Sequence, residues 1–162
     1  MNKLSYEQAL QRLAAYCSRA ERCVCDLKRK MNEWEIPFQH QNKIIQQLKK
    51  EKFIDEERYC RAFVNDKTKY NRWGINRIKF ELRRKEIPEQ MILEALKNID
   101  KEENREQLRL LIEQKKKSVK GKNEWEIRQK LIRYAASKGF SFEDIEITLE
   151  SITFANIKIN IE

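Results

Sequence analysis

The 162-residue sequence contains only three glycines, two prolines and one histidine. All-β folds need many turns, and turns rely on glycine and proline, so this scarcity argues against them. The residues that are abundant, Lys, Glu, Gln, Leu and Arg, are good helix formers. We therefore predict an all-α protein with long helices and short connections.

Long apolar runs are also missing. No stretch approaches the roughly 20 apolar residues that a membrane span requires, and the opening "MNKLSYEQALQRL" turns amphipathic without the continuous apolar core of a signal peptide. We expect a cytoplasmic protein with no membrane partner. Cys17, Cys23, Cys25 and Cys60 match neither a CxxC motif nor a zinc-finger spacing. They are therefore expected to be reduced thiols, with no bound metal and no cofactor.

A catalytic constellation is not evident either. His40 lies in the polar stretch "PFQHQNK", and no motif supplies a serine or cysteine partner for it. Gly74, Gly121 and Gly139 are isolated from one another, so they cannot form a glycine-rich loop that cradles phosphate. We expect no catalytic residues and no enzymatic activity.

Helix starts are marked by residue pairs with capping-box spacing, in which the two side chains satisfy each other's backbone N–H groups. These pairs are Ser5–Gln8, Ser18–Glu21 and Asn123–Glu126. With the apolar spacing, they predict nine helices near 6–17, 19–33, 38–50, 55–70, 74–86, 88–98, 101–118, 123–138 and 142–153. The closing "NIKINIE" alternates apolar and polar residues and is treated as a tail.

An internal repeat organises these helices. Leu27 and Leu82 occupy similar contexts 55 positions apart, and Leu82 and Ala135 lie 53 positions apart. A period of this length fits units of three helices, which bury their apolar surface by stacking on each other. We predict repeats at 1–53, 54–99 and 100–155, a C-terminal tail at 156–162, and an elongated, curved molecule.

The net charge is +9 and the isoelectric point is about 9.4, values that draw a protein toward polyanions. One cationic cluster surrounds the predicted fifth helix and consists of Arg72, Arg77, Lys79, Arg83, Arg84 and Lys85. At 100° per residue, Ile75, Ile78 and Leu82 form a core-facing stripe about 60° wide, and Phe80 points away from it. Phe80 either packs on a neighbouring repeat or contacts a base or a protein partner.

A second cationic cluster, "KKKSVKGK", contains no acid and holds Lys115, Lys116, Lys117, Lys120 and Lys122. Lysines at the end of a helix complement its negative dipole, and they also suit contacts with a phosphate backbone. Both readings stay open. Trp73 and Trp125 precede or begin the second helices of two repeats, where structural packing is the expected role.

The runs "FIDEERYCRAFV" and "GINRIKFELRRKEI" resemble the RecX family, regulators of the bacterial RecA recombinase. The similarity extends over about residues 6–153. It includes Tyr59, Gly74 and the Arg77-Ile78 pair. One departure is Glu86, which stands where the family usually has glycine before Ile87, a position that often favours a positive φ.

The resemblance implies three tandem three-helix repeats and a non-enzymatic regulator of homologous recombination, DNA repair and the SOS response. Such a protein would bind the RecA–single-stranded DNA filament and limit its ATPase and strand-exchange activity, by blocking the groove or by capping growth. We expect a monomer whose partners are RecA and single-stranded DNA, with double-stranded DNA as a further candidate. Two alternatives are a general DNA-binding helical module without a filament partner and, less favoured, a nuclease.

Overall fold

The computed structural model describes residues 3–154 of the chain. Nine helices occupy this part, and no strand occurs within it. They are α1 (Tyr6–Arg19), α2 (Val24–Glu33), α3 (Phe38–Lys50), α4 (Glu56–Lys69), α5 (Ile75–Arg84), α6 (Glu89–Leu96), α7 (Lys101–Lys116), α8 (Glu124–Ser137) and α9 (Phe142–Glu150). The all-α prediction is confirmed. The predicted tail at 156–162 lies outside the described residues.

The caps explain where the first helices begin. Ser5 and Gln8 form the predicted capping box, with the Gln8 N–H donating to Ser5 Oγ at 3.2 Å and the Ser5 N–H donating to Gln8 Oε1 at 3.0 Å. The start predicted at Ser18 is wrong, because Ser18 lies inside α1 and its hydroxyl donates to a carbonyl one turn earlier. The second helix begins after Cys23, whose N–H donates to Asp26 Oδ2 at 3.3 Å.

Four helix ends share one turn. Glu35, Lys52, Glu86 and Gly139 each adopt a positive φ just past a helix. In each case the next residue is apolar, and its N–H donates to a carbonyl five residues earlier: Ile36 to Met31, Phe53 to Leu48, Ile87 to Leu82 and Phe140 to Ala135. This is the Schellman arrangement, which satisfies the last carbonyls of a helix. Glu86 therefore keeps the left-handed turn although it is not glycine.

The chain divides into two compact units, each with a core. The first comprises the described residues up to Phe63 together with Leu82–Ala95, and the second comprises Val64–Glu81 together with the described residues from Leu96 onward. The first core contains Ala9, Leu13, Cys17, Leu27, Met31, Ile36, Ile44, Ile45, Leu48 and Ile54. The second contains Leu108, Leu111, Ile112, Ile127, Leu131, Ala135, Phe140, Ile145, Leu149 and Ile152.

The apolar spacing of two helices shows how these cores form. Ile44, Ile45 and Leu48 are buried together on α3, and Leu108, Leu111 and Ile112 are buried on α7. The borders of the compact units fall inside α4 and α5 and before the last residue of α6. Because these borders differ from those predicted for the repeats, the repeat boundaries remain a prediction.

Candidate nucleic-acid interface

The start of α5 is joined to the end of α8 by backbone hydrogen bonds within the second unit. The Gly74 N–H donates to the Lys138 carbonyl at 2.7 Å, and the Asn76 N–H donates to the Gly139 carbonyl at 3.0 Å. These are N–H groups that a helix start can offer to a phosphate. Since the carbonyls of the two residues that follow α8 accept these hydrogen bonds, this helix start does not present the N–H groups to an anion.

The side chain of Arg77 also makes contacts where the start of α5 meets the end of α8. Its guanidinium carbon lies 4.3 Å from the centroid of the Trp73 ring, and Nη1 donates to the Ser137 carbonyl at 3.2 Å. The Lys67 ammonium lies 4.9 Å from the same indole. Trp73 therefore has a packing role, as expected, and Arg77 helps to hold α5 against α8. Trp125 differs from that expectation, because 69% of its surface is exposed.

Phe80 points outward, as its position opposite the apolar stripe predicts, with 59% of its surface exposed. It borders a groove of about 360 Å³ that is also lined by Asn76, Arg77, Glu81, Ala136, Ser137 and Gly139. Lys79, one position earlier on α5, is half-buried.

Arg83, Arg84 and Lys85, the last three cations of the first cluster, lie in the first unit. Arg83 donates from Nε and Nη2 to both carboxylate oxygens of Glu89, at 3.0 and 2.6 Å. The Lys85 ammonium donates to Oδ1 of the buried Asp26 at 2.6 Å. Arg84 is exposed at the end of α5. Arg83 and Lys85 thus have acidic partners within their own unit.

The lysines of the second cluster have different surroundings. Lys116 donates to the Thr153 carbonyl at 2.7 Å and pairs with Glu113 at 3.3 Å, so it ties α7 to the chain after α9. Lys117 caps the end of α7 and is exposed, and Lys120 and Lys122 are exposed in the loop that follows.

Arg72 and Lys115, one from each cluster, meet in a cleft of about 320 Å³ in the second unit. The cleft is lined by Tyr70, Asn71, Arg72, Leu111, Gln114, Lys115, Ser118, Tyr134 and Lys138, and none of these described residues is acidic. Arg72 has a φ of 52°, and its Nη1 donates to Gln114 Oε1 at 2.8 Å. Hereafter we call this the Arg72 cleft.

Tyr134 holds the two lysines of the Arg72 cleft in place. The Lys115 ammonium lies 4.7 Å from the centroid of the Tyr134 ring, and the Lys138 ammonium lies 5.7 Å from it. Cations gather over an aromatic ring because its face is electron-rich. Tyr70, which also lines the cleft, has in contrast 81% of its surface exposed.

Sequence reasoning missed Tyr70, Tyr134 and Lys138. The signal for Tyr70 was its place in "KYNR", where it lies two positions before Arg72. No comparable signal existed for Tyr134 and Lys138, because α8 meets the α4–α5 loop only through the fold.

The cysteines take no part in this cleft. All four have free thiols, and Cys17, Cys23 and Cys60 are buried. Burial raises the pKa of Cys17 and of Cys60 to about 11 and that of Cys23 to about 12, so these thiols are protonated at neutral pH. Between residues 3 and 154 no three His, Cys, Asp or Glu side chains cluster closely enough to hold a metal ion. Over the same span, no helix has both the length and the apolarity to span a membrane.

These features define a helical-repeat protein with a cationic cleft that contains no carboxylate among its described lining residues. The family models for the second and third three-helix domains of RecX match residues 55–96 and 102–149. The chain belongs to the RecX family.

Individual relatives agree with this assignment. The regulatory protein RecX of Clostridium botulinum is 34% identical over 115 residues, which cover 69% of this chain and 53% of that protein. A crystal structure of regulatory protein RecX superimposes with a TM-score of 0.79 at 24% identity, over 90% of this chain and 71% of that one. The crystal structure of RecX from Lactobacillus salivarius superimposes with a TM-score of 0.76 at 19% identity, over 90% of this chain and 95% of that one. The chain spans about half the length of the curated relatives it matches.

Proposed function

We propose that this protein is a non-enzymatic regulator that binds the RecA–single-stranded DNA filament and lowers its ATPase and strand-exchange activity. Membership of the RecX family, whose curated members here are named regulatory proteins, supports the regulatory part. The observation that carries the DNA part is the Arg72 cleft, which three half-buried cations line without a carboxylate among its described lining residues. Such a surface attracts the phosphates of a nucleic acid.

The other residues predicted to contact DNA or the filament differ in how available they are for binding. Lys117, Lys120 and Lys122 are exposed beside α7 and can extend the cationic surface. The exposed Phe80 can add an apolar contact with a protein partner. Arg77, Arg83, Lys85 and Lys116 already serve the fold through the contacts described above.

The ATPase rate of RecA on single-stranded DNA tests this function. The protein is titrated in at moderate salt with DNA in excess, so that competition for free strands cannot imitate inhibition. We expect the rate to fall at protein concentrations well below that of RecA, since a regulator that caps or blocks a filament acts on many subunits. An unchanged rate over the whole titration would refute the proposal.

A general DNA-binding module is the alternative, and relative affinity separates the two. At equal salt, a filament regulator binds the RecA-coated strand more tightly than the bare strand. A simple DNA binder prefers bare DNA, because RecA covers the phosphates that it needs, and its affinity falls steeply with added salt. For substitutions in the Arg72 cleft, Arg133→Gln is a suitable control, since Arg133 is exposed on α8 and is not among the described lining residues of that cleft.

A further inference from the structure

The side chain of Tyr70 is the most exposed aromatic ring at the Arg72 cleft, and three cations lie around the same space. We propose that the cleft holds one nucleotide of a single strand, with its base stacked on Tyr70 and its phosphate between Arg72 and the lysines 115 and 138. This inference rests on the proposed function and names the mode of DNA recognition within it.

The arrangement of charges favours a phosphodiester. Gln114 engages one N–H of the Arg72 guanidinium, which fixes the side chain and leaves other donors of its planar fork for a phosphate. The Tyr134 ring keeps both ammonium groups near the cleft. Because no lining carboxylate is present among the described residues, nothing in the lining neutralises these cations or repels an anion.

The two aromatic rings of the cleft, Tyr134 and Tyr70, have different roles. Tyr134 is half-buried, and its ring serves the lysines, whereas Tyr70 presents its ring to solvent. Stacking of a base on an exposed ring contributes about 1–3 kcal/mol and tolerates any base, since every base has a flat face. The pairing of an exposed ring with a cationic wall is therefore suited to binding without sequence preference.

The size of the cleft and the stacking requirement favour single strands. A volume of about 320 Å³ lies at the small end of ligand sites, which suits one nucleotide rather than a duplex. Bases inside a duplex are stacked on their neighbours, so they offer no face to Tyr70. An acidic peptide could satisfy the cations but would gain no comparable stacking on the ring.

Fluorescence anisotropy with the full chain and a labelled oligothymidine tests the proposal in the absence of RecA. We expect Tyr70→Ala to weaken binding about 5- to 150-fold and Tyr70→Trp to preserve it. Phe38→Ala, which removes an exposed ring from the first unit, should change affinity less than twofold. A duplex of equal length should bind more weakly and respond little to Tyr70→Ala.

The salt dependence provides a second measurement. If Lys138 neutralises a phosphate, Lys138→Gln should reduce the slope of log affinity against log salt by about 0.7, the value for one contact with a single strand. Arg133→Gln, on the helix that Lys138 caps, should leave the slope unchanged. Circular dichroism of each variant verifies that the helical content is retained.

Two outcomes would overturn the proposal: Tyr70→Ala binding the single strand as tightly as the unaltered protein, or losing affinity for the duplex to the same extent. Failure of the proposed function gives a different result. The cleft proposal fails alone if the unaltered protein and Tyr70→Ala inhibit RecA and bind bare DNA equally. The filament function fails alone if Tyr70→Ala loses DNA binding while the unaltered protein leaves RecA activity unchanged.

Discussion

Gly74 and Gly139 lie in direct backbone contact, because a Cβ atom on Gly74 would be 2.5 Å from the carbonyl carbon of Gly139. A Cβ atom on Gly139 would be 2.4 Å from the backbone nitrogen of Arg77. Cβ atoms do not approach backbone this closely. The hydrogen bonds between α5 and α8 therefore require glycine on both sides of the crossing.

Gly139→Ala should lower the free energy of unfolding by about 2–4 kcal/mol, from the left-handed conformation and from overpacking against the backbone of α5. Gly139 has a φ of 98°, so both penalties apply to it. Urea unfolding followed by circular dichroism measures the loss. Gly121→Ala is the comparison, since its Cβ would meet the Ile127 side chain at 2.8 Å and its φ is not positive. Equal losses in the two variants would contradict this explanation.

Glu86→Gly should raise the free energy of unfolding by about 0.5–1 kcal/mol. Glu86 has a φ of 58°, a conformation that costs a residue with a side chain about 1–2 kcal/mol. Glycine removes this cost, but it also loses more conformational entropy on folding, which offsets part of the gain. Thermal or urea unfolding provides the measurement. Glu146→Gly, an exposed site within α9, should instead lose about 1 kcal/mol. A loss at Glu86 would show that its carboxylate stabilises the turn by more than the backbone penalty.

The sequence predicted the parts of this protein that depend on local spacing. The buried stripe of α7 and the outward position of Phe80 follow from 100° per residue. The start of α2 at Cys23 was not predicted, because cysteine is an unusual N-cap residue. The hydrogen bond at this cap is instead accepted by Asp26 from the Cys23 N–H. The Arg72 cleft escaped prediction because Arg72 and Gln114 are 42 positions apart in sequence, and only the packing of helices brings them together.

The ion pair between the buried Asp26 and the half-buried Lys85 should make stability depend on pH. Burial raises the pKa of Asp26, but hydrogen bonds from Lys85 and Cys23 outweigh burial and hold that pKa below its usual value. A carboxyl whose pKa is lower in the folded state stabilises the fold above its unfolded pKa of about 4. That stability is lost as the pH falls through the folded pKa.

Asp26→Asn should therefore cost about 2 kcal/mol at pH 7, and the difference from the unaltered protein should shrink in acid. Urea unfolding at a series of pH values from 7 to 3 measures this difference. Glu106→Gln, which breaks the exposed pair with Arg109, should cost less at pH 7. A difference between Asp26→Asn and the unaltered protein that stays constant across this pH range would contradict the ion-pair explanation.

Arg77 should stabilise the fold through its contact with Trp73, whether or not it also contacts DNA. Loss of the guanidinium over the indole and of the hydrogen bond to Ser137 predicts that Arg77→Gln lowers the free energy of unfolding by about 1–2 kcal/mol. Urea unfolding measures the loss, and Arg133→Gln on α8 should remain close to the unaltered protein. If Arg77→Gln retained full stability and still weakened filament binding, Arg77 would contact the filament directly. The expected loss of stability means that changes at Arg77 must be compared at equal folded fraction before any effect on RecA is assigned to binding.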